Sequence, residues 1–285
     1  MTRFKLLTFL LLAMGGGVIF YTLLGRSLGE NKKKDGYKII DRWELPKVLK
    51  EVSGIAWLGS DQLLALQDEE GILFVYDLKM EEIVKRIPFG DDGDYEGLAV
   101  HGNDAYVLRN DGTLFQISDF RSPERIVDIY ETDFKKRNNM ESLTWDDKGN
   151  RLLLIPKDYD FDTDRVKGIY AFSIEEKRLS PEPIYRIDMK DKALKDFRKK
   201  DDNETFRPSD LAVHPVDGEI YVLDGANPKM VVLNTDGDLI EVIDFKKKDF
   251  PQPEGLTFSP DGKLFISNEQ KKGQKANILQ VKIMP

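Results

Sequence analysis

FPQPEGLTFSPDGKLFISNEQ, residues 250–270, places a glutamate, Glu254, directly ahead of an apolar run that reads as a buried strand. An unpaired carboxylate is expensive to bury, so its position asks for a reason. The same form recurs upstream as SGIAW from Ser53, EGLAV from Glu96, ESLTW from Glu141 and SDLAV from Ser209. Each segment runs polar, small or polar, Leu/Ile, Ala/Thr, then bulky. The starts lie 43, 45, 68 and 45 residues apart. A period of about 40–50 residues built from short strands is the sequence mark of propeller blades.

The remainder of each unit agrees. A polar turn follows the motif (LGSDQ, HGNDA, DDKGN, HPVDGE, SPDGK), and such Asp/Gly/Asn/Pro clusters close hairpins. Two further apolar strands come next, then a fourth in the first four units: EEIVKRIPF, ERIVDIYET, PIYRIDM and LIEVIDF. The fifth unit ends after NILQVKIMP without a fourth strand, and YKIIDRWEL, residues 37–45, precedes the first. Pairing that segment beside the last blade would close the ring and remove the open sheet edges. The expected fold is therefore all-β: a propeller of five four-stranded blades over residues 37–285, closed by an N-terminal strand. Six blades would need one hidden in the insertion at about 190–207, KDKALKDFRKKDDNETFR, which is too polar. That insertion reads as a short amphipathic helix with Ala193, Leu194 and Phe197 on one side, serving either as a solvated loop or as a lid.

First strands line the channel of a propeller, so Ser53, Glu96, Glu141, Ser209 and Glu254 should form an axial ring. Carboxylates that close repel, so some hold protons or a cation sits among them. The donors are all oxygen, which suits calcium or magnesium, with Glu96, Glu141 and Glu254 as the metal ligands. The other reading is an ion-pair network with the ends of the second strands: Asp68, Arg109, Lys157, Asp224 and Asn268. In it, Arg109 and Lys157 neutralise Glu96 and Glu141 without metal. The acidic run Asp91, Asp92, Asp94 lacks the frame of a calcium loop and reads as a solvated turn.

Composition narrows the functions. The formal net charge is −8, and Arg3 and Lys5 are the only charged side chains of the first 25 residues, so the remainder carries −10. An acidic body argues against nucleic acid as partner. There is no cysteine, which excludes disulfides, thiolate catalysis and zinc–thiolate sites. The two histidines, His101 and His214, cannot make a site of three or more, and read as surface residues in hairpin turns. No G-x-S-x-G elbow is present.

Residues 6–25 carry no charge and as a helix would span about 30 Å, the depth of a bilayer core. A cleavable signal has a shorter apolar region, about 7–15 residues, so residues 1–25 read as an uncleaved membrane anchor, with a signal cleaved near Ser27 and Gly29 as the alternative. Residues 26–36 read as a polar tether. Lysines and arginines flank both sides of the apolar stretch, so charge alone leaves its orientation open.

VSGIAW with LALQDEEGILFVYDL, GDYEGLAV and PEGLTFSPDGKLFISNE together resemble the SdiA-regulated family, also called the YjiK family, over residues 37–284. The most specific element is Asp94-Tyr95-Glu96-Gly97-Leu98-Ala99. The resemblance implies a plasma-membrane protein with an N-terminal anchor, a periplasmic β-propeller and a link to calcium. Ser53, Ser209 and the Glu141-Ser142 pair depart from the E-G-L pattern. The function expected is a membrane-anchored binding or sensory module that holds a cation, a small molecule or a protein at the channel mouth. The alternative is a metal-dependent propeller hydrolase, lactonase-like or phosphatase-like.

Overall fold

The computed structural model describes residues 36–284 apart from 162, 164 and 272. The anchor expected at 1–25 and nearly all of the tether lie outside the described residues. Among those described, no helix is long and apolar enough to cross a membrane.

The strands run in chain order. β1 (Tyr37–Glu44) comes first. Blade 1 is β2 (Val52–Gly59), β3 (Gln62–Gln67), β4 (Ile72–Asp77) and β5 (Glu82–Pro88). Blade 2 is β6 (Tyr95–His101), β7 (Asp104–Arg109), β8 (Leu114–Ser118) and β9 (Ile126–Tyr130). Blade 3 is β10 (Met140–Asp146), β11 (Arg151–Pro156) and β12 (Val166–Ser173), with the outer edge split between β13 (Arg178–Leu179) and β14 (Tyr185–Asp188). Blade 4 is β15 (Pro208–Val213), β16 (Ile220–Asp224), β17 (Lys229–Leu233) and β18 (Leu239–Asp244). Blade 5 is β19 (Pro253–Phe258), β20 (Leu264–Asn268) and β21 (Asn277–Ile283), and β1 pairs antiparallel along β21 as its outer strand.

Five sheets with this closure match the expected architecture, and no sixth blade lies in the insertion. The inner strands β2, β6, β10, β15 and β19 touch one another in a closed cycle, which defines the channel. Strands facing both neighbours read as continuous apolar runs, and β11 and β17 are buried almost throughout. The outer strands β5, β9 and β18 alternate toward solvent. Apolar clusters fill the gaps between blades; one packs Leu223, Ile243 and Phe250 against Leu256, Ile266 and Leu279.

The insertion differs from the amphipathic helix expected. It contains two short 3-10 turns, Lys192–Leu194 and Asp202–Glu204. Leu194, Asn203, Thr205 and Phe206 are buried while Ala193 is exposed. Lys167, a buried lysine of β12, donates to the Asn203 side chain and to the carbonyls of Lys157 and Asp158. The segment is thus anchored through Leu194, Asn203, Thr205 and Phe206, while Lys195, Asp196 and residues 198–201 remain exposed.

Candidate functional site: the acidic channel mouth

Each inner strand carries a β-bulge at the same place. Pairing skips a residue between Val52 and Gly54, Tyr95 and Gly97, Met140 and Ser142, Pro208 and Asp210, and Pro253 and Gly255. The skipped residues are Ser53, Glu96, Glu141, Ser209 and Glu254. A bulge leaves its extra residue out of the ladder and re-aims its side chain. The repeated motif is therefore a repeated bulge, and the five residues share one level at the strand starts.

The next position explains the glycine of E-G-L. A Cβ on Gly97 would lie 2.7 Å from Leu143 Cβ and 3.2 Å from the Glu141 carbonyl; one on Gly255 would lie 3.0 Å from Ile55 N. Neighbouring inner strands approach too closely there for a side chain. Blade 4 carries Asp210 at this position instead. Its carboxylate is 1% exposed and accepts from its own blade at Leu211 N (2.8 Å) and from blade 5 at Leu256 N (2.6 Å). Leu143 N of blade 3 adds a further backbone hydrogen bond. Burial pushes its pKa up, while these donors favour the charged form. Asp210 thus gathers inner-strand N–H groups from three blades.

The ring residues divide by chemistry. Ser53 Oγ donates to the Tyr95 carbonyl at 2.8 Å and Ser209 Oγ to the Pro253 carbonyl at 2.9 Å. Both hydroxyls stitch one blade to the next. The three glutamates surround Lys157. Its Nζ lies 2.5 Å from Glu141 Oε2, and Asn139 Nδ2 donates to Glu141 Oε1 at 2.9 Å. Glu254 is 7% exposed and sits against Gly225, where a Cβ would come 3.0 Å from Glu254 Oε1. Glu96 has neither a hydrogen-bond partner nor an ion pair among the described residues.

The electrostatics follow from this geometry. Burial, then the charges of Glu141 and Glu254, drive the Glu96 pKa up to about 10. Burial also raises Glu141 and Glu254, and Lys157 opposes both shifts. Burial alone would lower Lys157, but Glu254, Glu141 and Glu96 outweigh it and hold the ammonium charged. Beside the ring, burial raises Glu269 to about 8 and Asp68 to about 6, helped by neighbouring carboxylates. The mouth therefore retains protons at neutral pH that solvated carboxylates shed.

The second-strand residues expected in the ring fall in two registers. Arg109, Asp224 and Asn268 pair opposite Tyr95, Pro208 and Pro253, whereas Asp68 and Lys157 lie one residue beyond the corresponding Gln67 and Pro156. Lys157 neutralises Glu141 as expected. Arg109 does not neutralise Glu96: its Nη2 donates to Asp111 at 2.8 Å and to Thr113 at 3.0 Å. Asp224 is committed to the buried Lys229 ammonium and to Asn227 N. Asn268 Nδ2 donates to Asn277, while its Oδ1 and the Asp68 Oδ1 are buried without partners.

Among the described residues, no three His, Asp or Glu side chains are grouped so as to hold a metal ion. Lys157 supplies the positive charge beside the glutamates, so as the side chains stand they do not fit a calcium ion. The histidines sit at hairpin turns as expected, His101 exposed and His214 half-buried. His101 stacks on Trp145 at 4.0 Å, His214 packs edge-on against Phe258 at 4.8 Å, and both line a cavity at the other end of the channel.

Fold and mouth together define a five-bladed β-propeller with an acidic cluster around Lys157 at one end of its axis. The chain belongs to the SdiA-regulated family, whose model matches residues 30–272. No curated protein matches it. A glutaminyl cyclase from Myxococcus xanthus superposes with TM-score 0.61 over 86% of this chain and 95% of that one, at 14% identity. The PQQ-bound aldose sugar dehydrogenase of Streptomyces coelicolor gives TM-score 0.53 over 86% and 97%, at 13% identity. These likenesses are likenesses of fold.

Proposed function

We propose that this chain is a binding or sensory propeller that takes a cationic group at the Glu96–Glu141–Glu254 mouth. The observation that carries the reading is Glu96: a carboxyl without a partner among the described residues, beside two further carboxyls with one lysine between the three, its pKa pushed up by burial. A cation arriving there supplies the charge that lets Glu96 ionise, so binding displaces protons. Calcium is the inorganic candidate, and its binding would require Lys157 to move off Glu141. A small organic ammonium is the alternative occupant. Residues 1–25 would anchor the protein in the plasma membrane with the propeller on the extracytoplasmic side.

The test is calorimetry on the full chain with calcium chloride and with putrescine, in two buffers of different ionisation enthalpy. Saturable binding with net proton release, lost in Glu96→Gln and Glu254→Gln, is the expected result. Heats indistinguishable from dilution for both cations would overturn it. An ester, lactone and phosphate screen then separates a binding module from a hydrolase.

A further inference from the structure

At the opposite end of the channel the inner strands finish around a cavity of about 460 Å³. Ligand pockets commonly fall at about 300–1,000 Å³. Its lining includes the apolar side chains of Ile55, Leu98 and Leu256 and the short side chains of Ala56, Ala99 and Ala212. At the rim stand Trp57, Trp145 and Phe258, equivalent positions of blades 1, 3 and 5, together with both histidines. Val216, at the same rim, is 74% exposed.

The charged groups of the lining are few. The cavity is lined by two carboxylates, and both are engaged. Asp146 Oδ2 accepts from Arg151 Nε at 2.9 Å. Asp147 Oδ1 accepts from Trp145 Nε1 at 2.9 Å and lies 3.5 Å from His101 Nδ1. Lys148 also lines the cavity, with its Nζ 2.8 Å from where a Cβ on Gly218 would stand. Among the described residues it has neither ion pair nor hydrogen-bond partner. Lys148 is therefore the lining cation without a partner, standing beside Asp147, which is exposed and keeps its own charge.

We propose that this cavity is a second ligand site, for a small aromatic or aliphatic carboxylate. The apolar body enters among the small lining residues, and the carboxylate stays at the rim against Lys148, a charge-assisted contact. The chain has three tryptophans, and two of them, Trp57 and Trp145, line the cavity, so occupancy is readable from intrinsic fluorescence.

The probe is 2-naphthoate, titrated into the full chain with tryptophan quenching and calorimetry as readouts, beside uncharged 2-naphthamide. Lys148 is exposed, so Lys148→Gln and Lys148→Glu leave the fold intact. The expected result is saturable 1:1 binding of 2-naphthoate, weakened about tenfold by Lys148→Gln and further by Lys148→Glu, with 2-naphthamide unaffected by either. Glu96→Gln, at the far mouth, should leave naphthoate binding unchanged, which separates this site from the cation site. Absence of saturable binding overturns the proposal. So does equal binding by wild type and Lys148→Glu, or a loss in Glu96→Gln as large as in Lys148→Glu.

Discussion

At the scale of single residues, Glu96 and Asp210 are two carboxyls on neighbouring levels of one channel that burial pushes the same way, the first without donors and the second against three backbone N–H groups. Glu96 has no donor, so its environment favours the proton; its pKa rises from the ordinary 4.5 to about 10. A carboxyl that binds its proton more tightly folded than unfolded loses stability as pH rises through that window. Glu96→Gln keeps the neutral shape and removes the titration. Its melting temperature should therefore match wild type near pH 4.5 and exceed it increasingly toward pH 9, by on the order of 5 °C. Asp210 is also raised by burial, but backbone donors oppose the shift. Asp210→Ala would strand the N–H groups of Leu211 and Leu256 in a dry channel, and should cost about 3 kcal/mol by urea denaturation. Of these two residues the sequence reveals the first more easily. Glu96 stands out because a carboxylate opens an apolar run. Asp210 is legible only once the five motifs are aligned, as the lone carboxylate where the others carry Gly or Ser. Arg109 misleads because its partner Asp111 is two residues away, a local contact that the longer-range pairing with Glu96 had to outcompete.

At the scale of the strand, the bulge is the unit that makes the site. A regular strand would alternate each ring residue into the space between blades; the extra residue re-aims it instead. The glycine that follows permits the close approach of adjacent inner strands. Gly97→Ala would drive a methyl group to 2.7 Å from Leu143 Cβ. Overpacking of this kind costs about 1–3 kcal/mol, and the variant should also shift the Glu96 titration because the bulge moves with it. Thermal denaturation together with cation calorimetry checks both effects. Bulges were invisible in the sequence because a one-residue slip is the size of the uncertainty in any strand boundary. That is why second-strand residues from two registers entered one expected ring. The insertion departs from its helical pattern for a different reason. Its apolar residues follow a helical spacing, but the buried Lys167 fixes Asn203 and the Lys157–Asp158 backbone, and such a tertiary anchor leaves no trace in local pattern.

At the scale of the whole molecule, the ring closes through β1, which pairs along β21 from Tyr37↔Ile283 to Glu44↔Asn277. The repeat count and the missing fourth strand of the last unit made this closure readable in advance, since a three-stranded final blade would leave an edge open. A chain beginning at residue 46 exposes β21 and should aggregate or lose its single cooperative transition. One beginning at residue 36 should keep it, by light scattering and calorimetry. Closure also brings Glu96, Glu141 and Glu254 of blades 2, 3 and 5 around Lys157, which is the condition for the proton-holding mouth. The direct measurement is a carbon-13 NMR titration of glutamate side-chain carboxyls in the intact chain. At least one carboxyl should titrate above pH 8 and vanish from the spectrum of Glu96→Gln. Every glutamate titrating below about pH 5.5, close to the ordinary range, would contradict the account.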